Sequence, residues 1–439
     1  MRITRPGGEA EQDPERVDLS DPHFYATGDP HAVWRHYRHK APVTRLTVPS
    51  GRGYVSVTAH AETGTVLRDH ALYTSRRGNM LSVLGEQDPA ADRMMVASDP
   101  PVHGYLRRPV AQALSARELA ARRPAIRRMA RLLLAPLASG EPWDLAAAMT
   151  AFPMMFTGAL MGLPEADWPE LTRLTTVAIA PADPSSRDDS GGHQLVSAHH
   201  ELFDYFAEVA ADRTPREDLV GLLQQLTVGD RTIRLDEVIY NCYNVLLGAN
   251  VTAPHVIATT VNALLEHPEQ YRRLLDGGAT VASAVEEGLR WASPATHAMR
   301  YATEDTTLGG EPVRAGEAVV AWLGSANRDE TVFDDPYRFD LARTPNRHLA
   351  FGFGPHYCVG APLARIALAE FFTEVTELVE RFEPAGPVEH LASNFIAGIK
   401  HLPVTARLRP GADRQLARDA SRTTPHHPAP PRNERTFLP

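Results

Sequence analysis

The chain has little cysteine. Two occur in 439 residues, Cys242 and Cys358, so no disulfide framework holds the fold and a reducing cytoplasm is the expected compartment. No apolar run is long enough to cross a bilayer, and the stretch from Met1 to Leu19 has no apolar secretion-signal core, so no membrane attachment is expected. Positive charge is not in excess. The 45 basic residues face 54 acidic ones, for a net charge of −9 at pH 7, which speaks against bulk nucleic-acid binding. No internal repeat is visible. No G-x-G-x-x-G follows a strand pattern, so a built-in nicotinamide or flavin site is not expected.

What is present fits a large enzyme. The length and the 43% hydrophobic content allow a large core with an interior cavity. Residues 1–20 are charged and expected to be flexible; 411–439 are rich in Pro, Arg and His and expected to be disordered. Between them, 21–410 reads as one catalytic domain.

Asp29-Pro30 is a helix start with its cap. Val43 to Leu46 and Tyr54 to Thr58 flank Pro49-Ser50-Gly51 and read as a hairpin. Gly78 to Ser98 has no clean period and reads as a long functional loop. Ser115 and Glu118 read as a capping box before a helix to about Pro136. Pro181 to His193 reads as a lid loop or an ordinary connector. Asp236 to His267 reads as one long core-crossing helix, weakened at Gly248 to Pro254. Ala397 to Val404 reads as a late hairpin whose tip reaches the substrate.

Several clusters carry chemistry. His103 and Arg107 are four apart on one helical face, with no acid between them. They either hold an anion or form a solvated basic patch. Glu287 and Arg290, at i and i+3, pair as a weak surface contact or as a buried clamp. Thr252 either serves a ligand or bonds back to the carbonyl of residue 248. Most informative is Phe351-Gly352-Phe353-Gly354-Pro355-His356-Tyr357-Cys358-Val359-Gly360. A lone cysteine sits there in a glycine-dense loop directly before a helical pattern. Glycines allow tight turns and close approach to a flat ligand. The helix mouth offers free N–H groups and the positive end of a dipole to a thiolate. The plain alternative is a free buried cysteine.

This stretch, F-x-x-G-x-H-x-C-x-G, resembles the haem-ligand loop of the cytochrome P-450 family. The resemblance extends in order from about Asp21 to Arg409. It implies a mainly α fold, a helical prism with a smaller β-rich region. It implies haem b, with Cys358 as the metal ligand and Phe351 and Gly360 beside it. His103, Arg107, Arg300, His348 and His356 match positions that contact the haem propionates. Glu287, Arg290 and Arg343 match the family's structural clamp. The distal-helix pattern A-G-x-[DE]-T-[TS] is matched with departures: Asn250 stands for the second glycine, Thr252 for the acid and Ala253 for the alcohol.

The resemblance further implies a soluble, cytoplasmic, monomeric monooxygenase. It would take O2, electrons from ferredoxin and ferredoxin reductase (NAD(P)H indirectly), and a small hydrophobic or carrier-bound substrate of secondary metabolism. Arg365 either helps dock the ferredoxin or is a solvated side chain. The departure at Ala253 leaves oxidative coupling or peroxide-driven oxidation as the alternative. A non-catalytic haem or recruitment module is the alternative of another class.

Overall fold

The computed structural model describes residues 13–186, 194–211 and 214–421. Helices dominate, and the elements that position the site begin with α1, Pro30–Lys40. The Asp29 carboxylate accepts the N–H groups of His31 and Ala32 at 3.0 and 3.3 Å, and Pro30 occupies the first turn, where it loses no hydrogen bond. Trp34 on this helix is fully buried. The expected hairpin follows as β1, Val43–Thr47, and β2, Gly53–Val57. Together with β3, Tyr73–Thr74, β4, His297–Ala302, and β5, Ala318–Trp322, they form a five-stranded sheet in the order β1-β2-β5-β4-β3. Only the β2–β5 pairing is parallel. Arg300 lies opposite Val319 in the register of β4 and β5, which fixes the height at which its side chain leaves the sheet.

The helical core carries α2, Val102–Ala113; α3, Arg123–Leu134; α4, Leu235–Asn250; α5, Ala253–Glu266; α6, Val281–Ala292; α7, Ala361–Leu378; and α8, Ala412–Ser421. Their apolar faces share one cluster that includes Phe152, Leu246, Ile257 and Phe371. The helix expected from Ser115 to about Pro136 is divided. Ser115 accepts the Glu118 N–H at 3.4 Å, but the short helix Ala116–Leu119 gives way to a 3-10 turn. Pro124 then opens α3, since a proline fits a first turn and not a helix interior.

The long central helix is also two helices. Pro254 cannot donate to the carbonyl four residues back, and its ring crowds that carbonyl. The ladder therefore opens at Val251 and Thr252 and restarts as α5.

Glu287 and Arg290 of α6 are both fully buried. Two parallel contacts of 2.8 and 2.7 Å join them, and Arg343 approaches Glu287 at 3.3 Å. Arg290 also donates to the carbonyls of Asn327 and Pro336, at 3.0 and 2.9 Å. The clamp thus gathers the irregular coil that leads into the cysteine loop.

Both chain ends differ from expectation where they are described. Residues 1–12 and 422–439 lie outside the described residues, as do 187–193 of the expected lid. Leu19, placed in the flexible N-terminus, is buried, and its carbonyl accepts the Tyr25 hydroxyl at 3.0 Å. Residues 412–421, placed in the disordered tail, form α8. Ala412 and Leu416 stand one turn apart and bury themselves against α3 and the turn after it. Averaged over the tail, the polar composition hides this pair.

Leu416→Ala is expected to lower the unfolding free energy by about 2 kcal/mol or more, the cost of truncating a fully buried leucine. Denaturant unfolding followed by circular dichroism checks this; a disordered tail would give no change.

Candidate active site

The cysteine loop is shaped by its glycines. Gly352 and Gly354 both have φ of +70°, a conformation that costs other L residues energy. A Cβ on Gly354 would stand 2.6 Å from the Leu67 carbonyl oxygen, so only glycine fits. The loop returns on itself, and the Cys358 N–H donates to the Phe351 carbonyl at 2.8 Å. Gly360 then caps α7, with Pro362 in its first turn.

Cys358 is exposed, and the surface it exposes lines a cavity of about 320 Å³. Its place inside the protein raises the thiol pKa through burial. The N–H groups of Gly360 and Ala361 and the guanidinium groups of Arg107 and Arg365 oppose that rise by favouring the anion. A Cβ on Gly360 would lie 3.9 Å from the sulfur, an ordinary contact.

One edge of the cavity is lined by basic residues, two of them arginines. His103 and Arg107 of α2, Arg300 of β4 and His356 of the loop all line it. The His103 and His356 rings lie 4.2 Å apart between centroids. Ser75 holds His356 at 3.1 Å, and Asp99 fixes Ser75 through its backbone N–H at 3.0 Å. Arg107 reaches the Tyr357 carbonyl and so ties α2 to the loop. Burial, and then the neighbouring arginines, hold His103 down to about 4 and His356 down to about 2. Burial lowers Arg300 to about 10.

Two buried groups here have unused donors. Among the described residues His103 Nε2 has no partner, and the Arg300 guanidinium donates to the carbonyl of its neighbour Met299 at 2.7 Å. Two guanidinium groups and two imidazoles with donors to spare in a cleft suit a ligand that brings its own carboxylates. The opposite wall is the helix break. A Cβ on Gly248 would meet nothing within 4 Å, so the wall faces open space there. A flat macrocycle with anionic substituents fits between a sulfur, four basic side chains and this wall, as haem requires.

Two expected contacts lie elsewhere. His348 does not line the cavity. Its Nε2 faces Glu286 Oε2 at 3.1 Å, and its Nδ1 accepts the Ala350 N–H at 3.2 Å. The Glu286 carboxyl is held down to about 2: burial works against this, but Arg365 and His348 outweigh it. Arg365 is correspondingly committed. It bonds Glu286 at 2.7 and 2.9 Å, donates to the Tyr357 hydroxyl at 2.8 Å and stacks over Phe351 at 4.6 Å. It braces the cysteine loop from behind while its side chain stays partly exposed. Phe351 itself lines the cavity beside the sulfur.

On the distal side, Thr252 and Ala253 line the cavity and Asn250 does not. Thr252 donates to the Gly248 carbonyl at 3.4 Å, across the opened turn. Asn250 is buried, with Nδ2 3.8 Å from the Met154 sulfur and Oδ1 without a partner. Helix geometry explains this: residue 250 points about 200° away from residue 252. The expected hairpin at Ala397–Val404 is not formed as such. Ile399–His401 pairs with Glu389–His390, while Pro403–Leu408 pairs with Val379–Pro384 and Trp143–Asp144. The residue that reaches the cavity from this region is Phe395. Asn79, Asn244 and Phe156 also line it and were not singled out in the sequence. A position one turn before Gly248 was the available signal for Asn244; Asn79 had none.

A family model described as Cytochrome P450 matches residues 280–389. The chain is 33% identical over 401 residues to cytochrome P450 NovI of Streptomyces niveus, covering 89% of this chain and 96% of that one. It is 31% identical over 402 residues to linalool 8-monooxygenase of Pseudomonas putida, covering 89% and 98%. The crystal structure of P450 OxyD, which is involved in the biosynthesis of vancomycin-type antibiotics, matches with a TM-score of 0.81 and 35% identity. That match covers 90% of this chain and 100% of OxyD. Among the described residues, no helix is long and apolar enough to cross a membrane. Likeness of this extent, over nearly the whole length of each relative, means that the chain belongs to the cytochrome P450 family and is a haem-dependent monooxygenase.

Proposed function

We propose that this enzyme inserts one oxygen atom from O2 into a small apolar substrate of secondary metabolism, with electrons from a ferredoxin and its reductase. The observation that carries the proposal is the Cys358 sulfur on the floor of an apolar cavity that a broken helix closes from the other side. In this reading Cys358 ligates the iron, and His103, Arg107, Arg300 and His356 hold the propionates. When bound, the haem supplies the redox chemistry that uses O2 and electrons to oxidise the substrate. The side chains do the rest. Phe156, Val245, Leu323 and Phe395 exclude water and hold an apolar skeleton. OxyD, with its antibiotic pathway, and the linalool monooxygenase, with its small apolar substrate, support this substrate class.

Thr252 holds a proton at Oγ1. We assign it the alcohol of the distal pattern, because its hydroxyl lines the cavity while Ala253 presents a methyl group. The assignment shifts the register by one residue from that expected in the sequence. Val251 then stands where the family has an acid, packed with Ile179 and Ile396. The long bond from Thr252 to Gly248 leaves the hydroxyl free to turn toward a bound ligand.

Electrons arrive at the face behind the cysteine. Tyr105, Phe353 and Tyr357 are exposed, an uncommon setting for large aromatics, and Phe353 also lines the cavity. Arg68 sits 5.6 Å over Phe353, and Arg108 sits 5.8 Å from Tyr105. Aromatic surface rimmed by arginine suits an acidic protein carrier.

The test uses holoenzyme, a ferredoxin system and isotopically labelled dioxygen on a metabolite panel. One labelled oxygen atom in the product is expected. Turnover without label would favour oxidative coupling, and turnover with peroxide alone would favour peroxide-driven chemistry. Cys358→Ser is expected to lose the red-shifted band of the reduced carbon monoxide complex and nearly all turnover. Thr252→Ala is expected to retain that band but to lower product formed per NAD(P)H consumed by about ten-fold or more, the scale of a lost proton donor.

A further inference from the structure

The distal cavity is apolar except for a few neutral groups; two of these are engaged, and the Thr157 hydroxyl is buried without a partner among the described residues. His297 lines the cavity, but its Nε2 accepts the Leu81 N–H at 2.9 Å and its Nδ1 meets the Thr296 hydroxyl at 2.9 Å. Thr252 bonds Gly248. The basic residues that line the cavity all belong to the edge described above, and no carboxylate lines it.

Asn79 and Asn244 are different. They come from independent elements, the irregular loop after β3 and the helix α4. Both line the cavity, and neither carboxamide has a hydrogen-bond partner among the described residues. The Asn79 main chain is held in place, because its backbone carbonyl accepts the Met299 N–H at 2.9 Å, which pins the loop to β4. Asn244 stands one turn before Gly248 on the same face, over the open part of the wall. Around them stand Phe156, Val245 and Phe395. A carboxamide in an apolar wall that leaves its donors and acceptor unused loses hydrogen bonds it had in water. That loss is recovered when a ligand supplies the matching group.

We propose that Asn79 and Asn244 are specificity-determining residues that bind a neutral hydroxyl or carbonyl group of the substrate. The inference rests on the monooxygenase reading above and narrows its substrate class. The substrate is an apolar molecule with a neutral hydrogen-bonding group, not a hydrocarbon. A carboxamide both donates and accepts, so it serves an alcohol, a ketone or an amide. It offers no charge to balance an ammonium or carboxylate in a cavity with no free counter-ion. With two such groups, the orientation of the skeleton is fixed as well as its affinity.

The experiment compares holoenzyme with Asn79→Leu and Asn244→Leu. The probes are geraniol, 4-phenyl-2-butanone, cyclododecanol and the hydrocarbon parent of each, with geranylamine as a cation. Dissociation constants are measured by equilibrium dialysis. The wild type is expected to bind at least one alcohol or ketone about ten-fold more tightly than its hydrocarbon, about one net hydrogen bond. Each leucine variant is expected to lose that preference while binding the hydrocarbon as well as or better than before. Geranylamine is expected to bind no better than the hydrocarbon.

No preference for any polar probe in the wild type overturns the proposal. So does a preference that survives both substitutions. The reduced carbon monoxide band is recorded for every protein. Its absence from the wild type would sink the haem-thiolate reading itself, whereas its presence with unchanged probe preferences sinks only the role of the two asparagines.

Discussion

An anion is unwelcome in an apolar interior, and the Cys358 sulfur must be held there. Burial alone drives the thiol toward its neutral form. What opposes burial is local and directional: two N–H groups at the start of α7 and two guanidinium groups. Both lie at the helix start, where the first four donors have no partner within the helix; the Ala361 N–H also reaches the Cys358 carbonyl at 3.3 Å. They aim at the sulfur only because Gly352 and Gly354 turn the chain in a left-handed conformation just before it. Glycine, cysteine and helix start therefore form one device. In the reading proposed above a metal would complete it, since a thiolate that ligates a cation needs less help from the protein.

Such a loop has little intrinsic stability, so its rigidity comes from behind. Glu286 gathers Arg365 and His348. Glu287, the next residue, gathers Arg290 and Arg343 and accepts the Asp340 N–H at 2.9 Å. Two adjacent carboxylates on α6 thus brace the loop and the coil leading to it. Buried ion pairs of this kind are not bought for stability alone, since desolvation offsets much of their attraction. Their value lies in geometry. Each guanidinium has fixed directions, and Arg290 spends its remaining donors on the carbonyls of Asn327 and Pro336. A coil with no regular ladder of its own acquires one conformation in this way.

The residues that were legible in the sequence are those whose chemistry leaves no alternative. Only glycine tolerates the backbone at 354 beside the Leu67 carbonyl, and only cysteine supplies a thiolate. His103 and Arg107 were legible because a spacing of four puts them on one face. Legibility failed where spacing fixes the position of a Cα and not the direction of a side chain. His348 is close to the loop in sequence, yet Glu286 captures its ring. Asn250 lies inside the distal pattern, yet its side chain turns toward Met154. The tail helix failed for another reason. Two apolar residues one turn apart suffice to anchor α8, and a composition averaged over the whole tail conceals them. The asparagines were the hardest to see. An amide in a helix or loop carries no spacing signal, and its meaning depends on whether the fold leaves it without a partner.

The break between α4 and α5 shows how the distal wall resolves a conflict. A continuous helix would satisfy every backbone carbonyl and leave no room. Pro254 removes one donor, and Gly248 removes a side chain. The cost is an opened turn whose orphaned carbonyl at residue 248 needs a partner. Thr252 supplies one through its hydroxyl at 3.4 Å, too long for a strong bond. A stronger bond would lock the hydroxyl to the helix, and no bond would leave the Gly248 carbonyl without its side-chain partner. The intermediate arrangement stabilises the opened turn and, in the role proposed for Thr252, would keep its proton transferable. With Val251 in the place of an acid, no carboxylate of the break competes for that proton. The hydroxyl is then governed by two partners only, the Gly248 carbonyl and whatever occupies the cavity. An asparagine one turn earlier on the same wall, able to place the substrate's polar group, determines what that occupant presents to it.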